Sequence, residues 1–129
     1  MAANQLAGSR VLIVEDEYYL ADDARSILSG LGMEVVGPVA TAPAARALIE
    51  TGGVIDMVLL DVNLRGELAF DVADTLKSRE IPFAFISGYD RTALPGRFAD
   101  VTLLEKPVRP DRLVDLCGTL VGERTSRTA

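Results

Sequence analysis

The stretch Ile55-Asp56-Met57-Val58-Leu59-Leu60-Asp61 decides the fold. It is nearly continuous apolar sequence, it follows the helix stop Thr51-Gly52-Gly53, and it ends in a carboxylate. Such a run reads as a strand covered on both faces, which calls for a parallel sheet between two layers of helix.

The same signature recurs on either side. Val11-Leu12-Ile13-Val14 stops at Glu15-Asp16-Glu17, Glu34 to Val39 reads as a short strand, Pro82 to Ile86 ends at Ser87-Gly88, and Val101 to Leu104 ends at Glu105-Lys106-Pro107. Between the strands, apolar residues recur at helical spacing. Leu20, Ala24, Ile27, Leu28 and Leu31 form one stripe before Gly30 and Gly32 stop it, and Ala42 to Glu50 carries Ala45, Leu48 and Ile49. Ala69 to Arg79 is a third helix, and about Pro110 to Val121 is a last one, with Leu113, Leu116, Cys117 and Leu120 inward. Val62 to Gly66 reads as loop. In Asp90 to Phe98 the pair Pro95-Gly96 opposes a continuous helix, so a short or broken fourth helix is predicted there. Strands alternating with helices give one doubly wound α/β domain with helices on both faces and right-handed crossovers. Residues 10–121 form that domain, and 1–9 and 122–129 read as frayed tails.

Composition excludes several function classes. With 129 residues, 49% hydrophobic and 25% charged, the chain is one ordinary globular domain and not a disordered or disulfide-built one. Thirteen basic against nineteen acidic residues leave a net charge of −6 and no basic run for direct nucleic-acid or anionic-membrane binding. The sequence has no histidine and a single cysteine, which removes zinc clusters and Ser-His or Cys-His nucleophiles. Met1 to Arg10 lacks the order of a signal peptide, and no apolar run approaches the ~18 residues of a membrane span. A cytoplasmic protein is expected.

In an open parallel sheet, ligands bind at the carboxyl ends of the strands. The residues there are Glu15 and Asp16, Asp61, Ser87 and Lys106. Taken singly each has a plain structural reading: acids cap the next helix, Ser-Gly is a turn, and Lys-Pro ends a strand beside a solvated lysine. Together they say more. Two carboxylates about 4 Å apart repel by roughly 4 kcal/mol at an effective dielectric of 20, so three converging acids call for a cation. Oxygen donors suit Mg²⁺ (or Mn²⁺), and a carboxylate beside such an ion can accept a phosphoryl group whose oxygens a lysine and a hydroxyl neutralise.

The set Val14-Glu15-Asp16-Glu17, Leu59-Leu60-Asp61-Val62-Asn63, Ser87-Gly88 and Glu105-Lys106-Pro107 resembles the receiver domain of two-component response regulators over about Arg10 to Val121. That resemblance implies a flavodoxin-like (βα)5 fold with strand order 2-1-3-4-5. It implies Asp61 as phosphoacceptor and Asp16 as direct Mg²⁺ ligand, with Glu15 acting through water and the Asn63 carbonyl as a further ligand. It implies Ser87 and Lys106 on the phosphoryl oxygens, and a Lys106-Pro107 peptide that is often cis. Receivers commonly carry Tyr or Phe where this chain has Leu103, so the usual aromatic is missing from that position. Phe83-Ala84-Phe85-Ile86-Ser87-Gly88-Tyr89 and Asn63-Leu64-Arg65-Gly66-Glu67 are similar to an alphaproteobacterial subgroup, many of whose members are stand-alone receivers.

The implied function is a phosphorylation-dependent switch. Its partners are a histidine kinase or histidine phosphotransfer protein upstream and an unknown protein downstream. It catalyses its own phosphoryl transfer and dephosphorylation and is not a turnover enzyme. The Ser87 to Phe98 segment is the candidate bistable element, and Asn63 and Tyr89 flank the path of the attacking water. Tyr89 either turns over the site in place of the missing aromatic or packs at the sheet edge. The alternatives are a phosphate sink or degenerate receiver-like module, or a receiver fragment of a hybrid kinase. A phosphoaspartate hydrolase is disfavoured because Asn63 replaces a second Asp and no cap domain exists, and a flavin protein because acids replace its phosphate loop. Cys117 reads as a buried hydrophobe, and Arg10, Arg65 and Arg109 as solvated.

Overall fold

The computed structural model describes residues 6–128. Five parallel strands form the central sheet in the order β2-β1-β3-β6-β7. They are β1 (Arg10–Val14), β2 (Glu34–Val39), β3 (Met57–Asp61), β6 (Phe83–Ser87) and β7 (Thr102–Glu105). In order of appearance this is 2-1-3-4-5, so the doubly wound, flavodoxin-like expectation holds. The helices are α1 (Tyr18–Gly30), α2 (Ala42–Thr51), α3 (Phe70–Ser78) and α4 (Pro110–Thr128).

The period of two along each strand divides the core. Leu12, Val14, Val58, Leu60, Phe83 and Phe85 face one layer, with Ala45 and Ile49 of α2 and Val72 and Leu76 of α3. Val11, Ile13, Met57, Leu59, Ala84 and Ile86 face the other, with Leu28 of α1 and Leu113, Leu116 and Leu120 of α4. All five residues of β3 and of β6 are buried, because both strands are covered on two faces. Each fully buried Leu or Phe contributes roughly 1.5–3 kcal/mol relative to exposure.

The segment with Pro95-Gly96 forms no α-helix. It makes two 3-10 turns, Arg91–Ala93 and Gly96–Phe98, as its breakers predict. Asp90 caps the first turn by accepting from the Thr92 amide at 2.9 Å. The Arg91 guanidinium donates to the carbonyls of Phe98, Ala99 and Val101 at 3.5, 3.1 and 2.6 Å and ties the start of the segment to the turn that leads into β7. Phe98 fills the core below it, 5.3 Å from the Phe85 ring.

Four expectations are corrected. Leu6 is fully buried among Val11, Leu28 and Met33, and Gly8 and Ser9 pair with Gly32, Leu6 and Glu34, so residues 6–9 are not a frayed tail. Residues 1–5 of the expected N-terminal tail, and Ala129 at the other end, lie outside the described residues. The last helix passes Val121 and runs to Thr128. The stretch after Asp61 is not plain loop but a small antiparallel hairpin, β4 (Asn63–Leu64) with β5 (Glu67–Leu68). Arg10 is not simply solvated: its guanidinium bonds Glu34 and the carbonyls of Gly52 and Val54, pinning the end of α2 to the sheet edge.

One glycine is obligatory near the site. Gly37 has φ +85 and precedes a cis Gly37-Pro38 bond, and a Cβ there would lie 2.9 Å from the Val39 nitrogen and 3.2 Å from the Ile13 carbonyl. This irregular end of β2 lets Val39 accept from the Glu15 amide at 2.9 Å. No helix among the described residues is long and apolar enough to cross a membrane.

Candidate functional site

The carboxyl ends of β1, β3, β6 and β7 bring the predicted residues together. Carboxylate oxygens of Glu15, Asp16 and Asp61 all lie within 4.8 Å of one another. Lys106 follows β7, and its ammonium donates to Asp61 Oδ2 at 2.8 Å and approaches Glu15 at 3.3 Å and Glu17 at 3.4 Å. The Lys106-Pro107 peptide is cis, as the motif implies. The Lys106 amide donates to the Ser87 carbonyl at 2.8 Å, which fixes the base of this side chain against β6.

Burial sets the electrostatics. Glu15 and Asp61 are buried, and Asp16 is half-buried. Burial, the hydrogen bond to Asp61 and the Asp61 charge push Glu15 up to about 8, against the opposing pull of the Glu17 amide and Lys106. Burial also disfavours the Lys106 ammonium, but bonding and charge from Asp61, then Glu15, more than offset it and hold it above the ordinary lysine range. The donor set is all hard oxygen. Across an octahedron with bonds of about 2.1 Å, opposite ligands stand about 4.2 Å apart, so oxygens within 4.8 Å can be gathered around one Mg²⁺ with small shifts.

Second contacts hold the cup in shape. Asp61 Oδ1 accepts from the Asn63 amide at 3.0 Å, and Asp16 Oδ2 accepts from the Arg65 amide at 2.9 Å. The Asn63 carboxamide oxygen accepts from the Gly66 amide at 2.8 Å, and its Nδ2 donates to the Tyr89 hydroxyl at 3.2 Å. Tyr89 therefore leans over the site and not against the sheet edge, with 47% of its surface exposed. Ser87 is buried, and its Oγ accepts from the Tyr89 amide at 2.8 Å. Leu103 is half-buried, pairs with Phe85 across the sheet, and packs into the core layer with α2 and α3, away from the acids. Asp16, Glu17, Asp61, Asn63, Tyr89 and Lys106 line an open cup of about 340 Å³, together with Arg65, Gly66 and Gly88.

Glu17 and Arg65 are the members that sequence reasoning missed. Glu17 was legible only as the third acid of its run, and its contact with Lys106 spans 89 residues of chain. Arg65 was read as a solvated arginine, and only the hairpin turn brings it to the rim.

Comparison with known proteins agrees with the geometry. The profile of the family described as "Response regulator receiver domain" matches residues 11–117. The phyllosphere-induced regulator PhyR of Methylorubrum extorquens is 33% identical over 105 residues, covering 79% of this chain and 39% of that protein. The solution structure of SdrG from Sphingomonas melonis is 38% identical with a TM-score of 0.77, covering 94% of this chain and 99% of that one. A variant of the anti-anti-sigma factor PhyR from Bartonella quintana is 26% identical with a TM-score of 0.81, covering 99% of this chain and 53% of that one. The chain thus spans less than half the length of that curated relative but nearly all of SdrG. With the family profile over most of its length and acids, hydroxyl and lysine at the strand ends that the motif assigns, the chain belongs to the response regulator receiver domain family.

Proposed function

We propose that this receiver is a phosphorylation-dependent signalling switch in which Asp61 accepts a phosphoryl group from the phosphohistidine of a kinase or phosphotransfer protein. The observation that supports it most directly is the buried Asp61 carboxylate, 2.8 Å from the Lys106 ammonium and inside a three-acid cluster. Asp16, Asp61 and the Asn63 carbonyl would hold Mg²⁺ (or Mn²⁺), with Glu15 reaching it through water. When bound, that cation supplies positive charge beside the transferring phosphoryl oxygens.

The chain's own residues do the rest. An Asp61 oxygen attacks phosphorus, the phosphorus–nitrogen bond of the donor breaks, and the imidazole leaves with the electron pair. Lys106 balances charge on one equatorial oxygen. The Ser87 hydroxyl exchanges its contact with the Tyr89 amide for a bond to another oxygen, which draws the Ser87 to Phe98 segment inward. Tyr89 and Asn63 stand over the approach of water and set the lifetime of the acyl phosphate. Output passes to a protein partner in the cytoplasm through the moved segment.

Intact-mass spectrometry with acetyl phosphate and Mg²⁺ tests this reading. A single phosphoryl adduct that disappears in Asp61→Asn and with chelator is expected. No adduct from either acetyl phosphate or a purified phosphorylated kinase, with Mg²⁺ binding confirmed, would leave a degenerate binding module instead.

A further inference from the structure

Arg65 and Gly66 are the two loop residues of the β4–β5 hairpin, with φ of +54 and +84. Positive φ at both positions is the type I′ turn, where Asn, Asp or Gly normally stands first because a Cβ is strained there. An arginine at the first position works against the local preference, and strained residues concentrate where a side chain has work at a site. Its amide anchors Asp16 at 2.9 Å, so backbone geometry fixes the residue at the rim of the acid cluster.

The charge around it is unbalanced. Arg65 and Lys106 are the cations among the residues that line the cup. Lys106 is engaged by Asp61, Glu15 and Glu17 within 3.4 Å, whereas the exposed Arg65 guanidinium has no protein acceptor among the described residues. Arg10, Arg25, Arg91, Arg97 and Arg109 spend theirs on carboxylates or carbonyls, and the guanidiniums of Arg46, Arg79 and Arg112, which like that of Arg65 have no protein acceptor among the described residues, do not line the cup. A phosphoryl donor carries up to two negative charges and must approach past Asp16 and Glu17.

We infer that Arg65 is a specificity-determining residue that captures the dianionic phosphoryl group of the incoming donor before transfer. The inference rests on the phosphoacceptor reading of Asp61. A guanidinium presents a rigid fork of donors to phosphoryl oxygens, and at the rim of a like-charged cup it offsets the repulsion that the acids impose.

The test is the adduct-formation rate at saturating Mg²⁺, followed by mass, with acetyl phosphate and with the less negatively charged phosphoramidate. In Arg65→Gln the rate at low acetyl phosphate is expected to fall about tenfold, the low end of what local charge contributes to association. The limiting rate at saturating donor is expected to stay unchanged, and the phosphoramidate rate to change less than about twofold. Arg65→Lys should recover most of the loss, and salt should slow the wild type more than Arg65→Gln. Arg65→Asn creates the preferred Asn-Gly turn, so it should melt no lower than the wild type while losing acetyl phosphate reactivity as Arg65→Gln does. Mg²⁺ affinity by calorimetry should not weaken in any of these variants. Wild-type rates in Arg65→Gln would overturn the inference and leave the phosphoacceptor reading standing. Loss of reaction with both donors together with weaker Mg²⁺ binding would also overturn it, by making Arg65 a structural support of the loop. An adduct that survives Asp61→Asn would instead remove the phosphoacceptor reading.

Discussion

Replacing Phe98 by alanine should unlock the segment that stands where a fourth helix would be. The ring is fully buried, meets Phe85 edge-on at 5.3 Å and Phe70 at 5.7 Å, and lies under the Arg97 guanidinium at 4.6 Å. A side chain of this kind buries about 150–200 Å², which at ~25 cal/mol per Å² is about 4–5 kcal/mol. Alanine keeps the Cβ but leaves a cavity, so the expected loss is about 3–5 kcal/mol. With an unfolding entropy of ~2.1 cal/mol/K per residue over 129 residues, each kcal/mol is worth about 4 °C, and Tm should fall by about 11–18 °C. Urea unfolding gives the free energy directly, and Phe98→Leu, which keeps most of the volume, should lose under about 1.5 kcal/mol. Asp61 and Lys106 sit on other elements, so Mg²⁺ should still raise the Tm of Phe98→Ala. A loss below about 1 kcal/mol for Phe98→Ala would refute the reasoning, because the segment would then be held by the Arg91 bonds alone.

Leu6→Ala should cost about 2–5 kcal/mol in urea unfolding, since Leu6 is fully buried, whereas a true tail residue would cost nothing measurable. Burial pushes the Cys117 thiol from 9.0 up to about 12. Because the folded value lies above the unfolded one, its contribution is complete below pH 9 and is lost as pH rises toward 12, at up to about 1.4 kcal/mol per pH unit. Cys117→Ala should therefore show a shallower loss of stability over that window than the wild type, and native protein at pH 8 should not react with a thiol reagent that labels the urea-unfolded chain. Mg²⁺ at ten times its dissociation constant should stabilise the fold by about 1.4 kcal/mol, roughly 5 °C in Tm. That gain should vanish with chelator and in Asp16→Asn. An unchanged melt in the wild type would count against a cation in the acid cluster.

The sequence by itself determined the sheet and the chemistry at its rim. Buried strands such as β3 and β6 announce themselves because burial on both faces demands uninterrupted apolar residues, and the inward stripe of α4 follows from helical spacing alone. Glu15, Asp16, Asp61, Ser87 and Lys106 were legible because they stand at or just past the carboxyl ends of the strands, where a parallel sheet places its ligands. Pro95-Gly96 likewise foretold the broken helix, since neither residue tolerates a helix interior. What only the tertiary structure decided depends on contacts between residues far apart in the chain. Leu6 is core because the turn after α1 closes over it, and Arg10 is a clamp because the end of α2 returns to the sheet edge. Tyr89 leans over the site because the Asn63 carboxamide holds its hydroxyl, a bond across 26 residues. Arg65 gave no local signal, since an arginine beside a glycine reads as solvated loop. Its place at the rim follows from the hairpin, whose turn defies the ordinary preference of its first residue, and from Asp16, which takes the amide of a residue 49 positions away. Local sequence encodes periodicity and breakers. Which charges share one cup is a property of the folded chain, because it depends on how four strand ends and a hairpin converge.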